Sequence, residues 1–314
     1  MTHDSSPKPI KTSIGGQALI EGILMRGPEK LAVAYLRSDK SIEVETADAP
    51  LPGKKHRILA VPFIRGVANM IHSLTVGIRY LTASANRAEG YEGEPSKFDL
   101  WLEKKFSKKA LDNLTIGISL FFGILLPVVL YILLPSFLTS LLKPFIASTI
   151  LLNLIEGLIK MLIFLLFLLL TSRMKDMKRV YSFHGAEHKT IYCYEKGLPL
   201  TVENVKLQKR FHPRCGTSFL FVVLFIGILI YSFISWDSLW MRILIRILCL
   251  PVLVGITYEI NRLVGRYDNF LTRILRAPGL LVQRLTVFEP DDDMIRTAIE
   301  AVKPVIPGDG SDKW

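Results

Sequence analysis

The chain has 314 residues, a formal net charge of +11 and 50% hydrophobic residues. Its basic residues flank apolar blocks and form no interleaved basic-aromatic stripe, so the charge marks topology and anionic lipid and excludes a nucleic-acid footprint. Three cysteines, one of them inside an apolar block, exclude a disulfide framework.

Residues 1–12 are polar and contain Pro, Lys and Ser, which predicts a short disordered tail. No apolar run follows them closely enough to make a signal peptide. From 13 to 61 a small cytoplasmic β-containing module is expected. Its first part, Ile14 to Pro28, places glycines at 15, 16, 22 and 27, which suggests tight turns around short apolar runs. The spacing and the Gly-Lys-Ser/Thr ending of a phosphate loop are absent. Leu31 to Leu36 and Ser41 to Thr46 then read as two strands joined at Ser38-Asp39-Lys40.

The region 62–113 holds an amphipathic helix and a linker. From Pro62 to Ala85 the apolar positions recur at three- and four-residue steps. Arg65, His72 and Arg79 make a helix lying on the membrane, or packed against the bundle, a better expectation than a fifth span. Glu89 to Ser96 is the linker.

Four apolar blocks fill 114–260: Leu114 to Leu138, Phe145 to Leu170, Thr217 to Trp236 and Met241 to Ile260. Each has the roughly 20 residues that a helix needs to cross a hydrocarbon core. The expected fold is therefore an integral membrane protein, mainly α-helical. It has four transmembrane helices, a small N-terminal cytoplasmic β-containing domain and interfacial amphipathic helices. Basic clusters before the first block and after the second and fourth place both termini, and the loop 172–216, on the cytoplasmic side of a bacterial inner membrane. Glu156 and Lys160 are one turn apart within the second block and are expected to face the bundle and pair with each other or with Arg246, since an ion pathway has no broken helix or inverted repeat behind it.

In 261–314, Leu263 to Leu285 carries arginines at 266, 273, 276 and 284, and Pro278-Gly279 is expected to break it into two amphipathic pieces. Asp291, Asp292 and Asp293 precede a short helix that ends before Pro304. Capping explains them better than cation binding, because carboxylates at a helix start meet free amides and the positive dipole end.

The residues that could do chemistry lie in the loop 172–216. In a helix His184 and His188 share a face, with Glu187 beside them, in the order His-x-x-Glu-His of the inverted zincin motif. His212 and Cys215 follow on a Pro-containing turn. Cys with His favours Zn2+ or another divalent transition metal. Four ligands (His184, His188, His212, Cys215) would make a closed structural site. With water in one position, Glu187 becomes a general base. Glu195, Glu203 and Glu259 are alternative carboxylate ligands, with an ion pair to Arg262 the plain alternative for Glu259. The plain alternative for the cluster is headgroup histidines, Glu187 paired with Lys189 or Arg214, and Cys215 as a small buried side chain.

Ile14 to Pro28, His184-Gly-Ala-Glu-His-Lys-Thr190, Leu200-Thr-Val-Glu-Asn-Val205 and His212-Pro-Arg-Cys-Gly-Thr-Ser218 together resemble the YqhQ-like family. These are bacterial membrane proteins of unknown function, often labelled metal-dependent enzymes. The resemblance runs from about Ile14 to Pro304, with no departure at the candidate ligands. It implies that the glycine-rich segment belongs with the site, where Gln17, Glu21 and Arg26 would orient ligands or bind a substrate anion; a Glu21–Arg26 salt bridge is the alternative. The expected function is a zinc-dependent hydrolase acting on a membrane-proximal peptide or lipid. The competing expectation is a non-enzymatic factor whose zinc staples the loop, and which engages other membrane proteins such as secretion or quality-control machinery. Substrate and oligomeric state have no signature here.

Overall fold

The computed structural model describes residues 10–88, 118, 121–123, 125–233 and 239–313. Residues 1–9 of the expected tail 1–12, the linker Glu89 to Ser96, the start of the first apolar block and Trp236 lie outside the described residues, whereas Ile10 and Thr12 are ordered by hydrogen bonds to Glu195 and Thr12 is buried.

Four antiparallel strands form one meander in the order β1-β2-β3-β4: β1 (Gly15–Leu19), β2 (Gly22–Arg26), β3 (Lys30–Leu36) and β4 (Ile42–Asp48). The two expected strands are β3 and β4. The glycine-rich segment, read as turns, is itself a hairpin. Leu19 pairs with Gly22, leaving Ile20 and Glu21 as the turn, and Glu21 takes a left-handed φ of 48°. Strand β2 is buried from Gly22 to Met25 because both sheet faces are covered. Ile23, Met25, Ala32 and Ala34 pack with Phe183, Ala186, Ile295 and Ile299 on one face. Leu19, Leu24, Leu31, Val33 and Tyr35 pack together on the other, against Val76 and Tyr80. Successive side chains pointing to opposite faces give this division.

The helices are α1 (Pro52–Lys55), α2 (Ile64–Arg87), α3 (Phe121–Ser140, with a π-helical turn at Val129–Leu133), α4 (Thr149–Thr171) and α5 (Lys175–Glu195). They continue with α6 (Val202–Lys206), α7 (Gly216–Ser232), α8 (Leu239–Arg266), α9 (Phe270–Thr286) and α10 (Asp292–Val302). Helix α2 matches the expected amphipathic helix. Its Gly66, Gly77 and Ser84 are buried, while Ile71, Leu74 and Ile78 are 57%, 56% and 64% exposed.

Among the described residues, three helices are long and apolar enough to cross a membrane: α3, α4 and the stretch Leu244–Arg266 of α8. The remaining expected span is α7, apolar throughout but 17 residues long, and residues 234–238 after it lie outside the described ones.

The connection 172–216, expected as a loop, is largely helical. Helix α5 is polar on average, yet it buries Phe183, Ala186, Ile191 and Cys193 in the core over the sheet, and that packing sustains it. Pro278-Gly279 does not break α9. Helix α9 runs through both and starts instead at Asn269, whose side chain accepts from the Thr272 amide while Thr272 caps in return. Pro278 forfeits one ladder bond, which the buried stripe Thr272, Gly279, Val282, Gln283 and Thr286 outweighs. Asp291 caps α10 as expected, accepting from the Met294 amide at 2.8 Å.

The chain divides into two compact units, one drawn from Met1–Ala88, Leu168–Ile226 and Ile243–Trp314, the other from Glu89–Phe167 and Gly227–Arg242. The first holds the sheet together with α5, α9 and α10. In the second, Lys160 and Glu156 pair at 2.6 Å with Glu156 almost fully buried, the partnership expected of charges one turn apart in an apolar helix.

Candidate metal centre

Every candidate ligand that the structure brings together lies in the first unit. His184 and His188 are one turn apart on α5, and their rings approach to 4.4 Å between centroids. Cys215 ends the turn that leads into α7. One donor atom each from His184, His188 and Cys215 lies within 4.8 Å of the others, and His184 Nε2 is 3.2 Å from Cys215 Sγ.

The other ring nitrogens are engaged. His184 Nδ1 donates to the Thr286 carbonyl at 2.9 Å and His188 Nδ1 donates to the Arg210 carbonyl at 2.6 Å. A carbonyl only accepts, so each Nδ1 must carry the proton, and in the neutral ring the Nε2 lone pair faces the trio. His188 Nε2 is buried and has no hydrogen-bond partner. Glu187 follows the same logic: Oε1 accepts from the Gly16 amide at 3.0 Å, while Oε2 is buried and without a partner. Two orphaned buried atoms beside a sulfur are costly unless something between them is bound.

Without such a group the electrostatics are those of a buried ion pair. Burial opposes a charge on His184, but the Cys215 sulfur outweighs it and raises its pKa to about 9. Burial also pushes the Cys215 thiol up, yet His184 and His188 outweigh that and hold it well below its ordinary value. The Thr217 amide approaches the same sulfur at 3.4 Å. Glu187 is raised, because burial outweighs the two imidazoles.

Two glycines allow this approach. A Cβ at Gly16 would lie 2.6 Å from the Leu24 carbonyl oxygen and 3.0 Å from Glu187 Cδ, and one at Gly185 would strike the Phe288 carbonyl. The first of these contacts explains glycine at position 16 within β1, where no turn exists.

The structure does not bring His212 into the trio. Its Nε2 is 3.5 Å from Glu195 Oε2, and its ring lies 4.6 Å from Tyr192 and 5.6 Å from His188. Burial lowers its pKa to about 4, so the ring is neutral. Glu195 is committed to Arg214 and to the Thr12 amide. Burial pushes Glu195 up, but the His212 hydrogen bond and the Arg214 charge outweigh it and leave its pKa lowered. Glu203 is exposed on α6. Glu259 lies in an ion pair rather than with the trio, but its two-pronged partner is Arg65, one prong at 2.7 Å, where the plain alternative named Arg262. Glu21 pairs with Arg179 and not with Arg26, with Nη2 to Oε2 at 2.6 Å. Lys189 pairs with Glu289, which removes it as a partner of Glu187. Gln17 lies over Gly77 of α2, and Arg26 donates to the Ala49 carbonyl at 3.3 Å while its Nε has no partner.

Sequence reasoning missed Gln283. This fully buried side chain accepts from the His212 amide at 2.8 Å and donates to the His212 carbonyl at 2.7 Å, which fixes the turn carrying Cys215. A glutamine on the inner stripe of an amphipathic helix was the available signal.

A family model described as "Protein of unknown function (DUF1385)" matches residues 61–307. The chain belongs to that family. It is also 33% identical over 312 residues to "Uncharacterized protein YqhQ" of Bacillus subtilis (strain 168), covering 96% of this chain and 94% of the relative. The expected YqhQ-like membership is thereby shown. No solved structure matches.

Proposed function

We propose that His184, His188 and Cys215 bind Zn2+ or another divalent transition metal, and that the chain is a metal-dependent hydrolase of a bacterial inner membrane. Its substrate would be a membrane-proximal peptide or lipid. One observation carries this reading: both imidazoles are locked by backbone carbonyls with their Nε2 lone pairs turned to the Cys215 sulfur. Two neutral imidazoles and a thiolate are a donor set that zinc accepts, and three protein ligands leave a position open. A bound zinc supplies Lewis acidity and makes water a nucleophile near neutral pH.

In this reading Glu187 takes the proton. The Gly16 amide holds Oε1, leaving Oε2 as the free acceptor, and burial raises its affinity for a proton. Arg210 and Thr286 set the imidazoles through their carbonyls, and Gln283 sets the turn bearing Cys215.

Metal analysis of the purified full chain tests the site. About one metal per chain is expected in the wild type and little in His188→Ala or Cys215→Ala; a full complement in both variants overturns the proposal. Glu187→Gln is expected to keep the metal and to lose about 100-fold or more in hydrolysis of membrane-presented ester and peptide probes. Undiminished hydrolysis would remove Glu187 as the base. The competing structural reading draws on the ligands' origins, α5 and the start of α7, which a metal would staple together. It expects Glu187→Gln to be silent and His188→Ala to lower protein abundance.

A further inference from the structure

We propose that the cleft adjoining the His/His/Cys trio binds a lipid-borne phosphate, which names the substrate class of the site and rests on the preceding reading only in placing that phosphate beside a metal. Two clefts, of about 460 Å³ and 690 Å³, adjoin one another and share Asn69, Arg214, Tyr258 and Asn261 among their walls. The inner one is bounded by Gly16 and Gly216. Gly16 is the residue whose amide holds Glu187, and Gly216 directly follows Cys215, so the inner cleft reaches the edge of the trio.

The charge of these walls has one sign. Arg26 and Arg214 line the inner cleft; Arg65, Arg262, Arg266 and Lys313 line the outer one, and among the described residues no carboxylate lines either. Arg65 and Arg214 are neutralised by Glu259 and Glu195 behind the walls. Arg26 is different, because its Nε is buried with no hydrogen-bond partner. A partly buried guanidinium with a spare donor, beside serine, asparagine and tyrosine donors, fits an oxyanion with several acceptor atoms.

Position names the carrier of that anion. Arg262 and Arg266 stand on the last turns of α8, the polar end of a stretch long and apolar enough to cross a membrane. Basic side chains at that point sit at the depth of lipid phosphates. The exposed Ile71, Leu74 and Ile78 of α2, and Phe270, Leu271 and Ile274 of α9, offer apolar faces to the same interface.

The test uses purified full-length protein in a nonionic detergent, titrated calorimetrically with dihexanoyl phosphatidylglycerol, dihexanoylglycerol and inorganic phosphate. The phosphatidylglycerol is expected to bind, dihexanoylglycerol not to bind, and inorganic phosphate to bind at least about tenfold more weakly. Arg26→Gln and Arg262→Gln are each expected to weaken phosphatidylglycerol binding about ten- to a hundredfold, with Arg26→Lys intermediate. Arg262 is exposed, so its variant keeps the test valid if Arg26→Gln fails to fold. Unchanged binding in both glutamine variants, or equal binding of dihexanoylglycerol, overturns the proposal. Inorganic phosphate binding as tightly as the lipid overturns the lipid source. Cys215→Ala separates the two readings: it should lose metal and still bind the lipid, whereas full metal with intact lipid binding would sink the metal reading alone.

Discussion

A methyl group at Gly185 would meet the Phe288 carbonyl, while one at Gly15 would meet nothing within 4 Å. Gly185→Ala should therefore destabilise the protein by about 1–3 kcal/mol through overpacking against backbone. Gly15→Ala should stay within about 0.5 kcal/mol. Thermal midpoints of the two variants in detergent check this pair, and equal midpoints would contradict the close approach. The histidines divide in a similar way. His188 presents an unpartnered Nε2 to the trio, whereas His212 faces Glu195 and is clasped through its backbone by Gln283. His212→Ala should keep its metal where His188→Ala loses it, and metal stoichiometry decides. His184, Glu187, His188 and Cys215 were legible because helical spacing and donor chemistry are written locally. The displacement of His212 was not, since it depends on Tyr192 and Glu195 of α5 and Gln283 of α9 reaching it from two other places in the chain.

At the level of elements, α9 turns on its first residues. Asn269 and Thr272 cap one another, so Asn269→Ala should cost about 1 kcal/mol, read as a lower thermal midpoint. Just before the cap, hydrogen bonds from Arg273 and Arg276 lower the Asp268 pKa to about 2. A depressed carboxylate contributes stability above its ordinary pKa and loses it as pH falls through the folded value. Asp268 should accordingly remain ionised at pH 3, which the carbonyl shift of labelled aspartate would show; protonation near pH 4 would rule the pairing out. Pro278 looked like the boundary because proline and glycine are strong local punctuation, yet a buried stripe outlasts one missing amide. The β1–β2 hairpin was obscured for the converse reason. Its glycines serve close approach by Leu24, Glu187 and Ala34, partners that sequence order does not reveal.

Across the whole molecule, apolar blocks and the amphipathic α2 could be read directly, because length and periodicity are properties of single segments. The assembly of the first unit could not. Its sheet is covered by α10 from the far end of the chain, with Ile295, Ala298, Ile299 and Val302 completing the core begun by Ile23, Met25 and Ala34. Ending the chain after Phe288 would remove that cover. Each fully buried Ile or Val contributes about 1.5–3 kcal/mol, so the truncated protein should lose its protease-resistant sheet and its metal together. A sheet that stays resistant would show that α10 is dispensable.

The distance in sequence between β4 and α10 also imposes an order of events. The strands leave the ribosome first, and the helix that covers them emerges about 240 residues later. At the usual pace of synthesis that interval is on the order of ten to fifty seconds. Until α5 and then α10 follow, one apolar face of the nascent sheet lacks its helical cover, and the Gly16 amide has no partner before Glu187 is made. The core over the sheet is thus complete only once α10 has been made, and a chain that stalls before it leaves that β-surface partly uncovered.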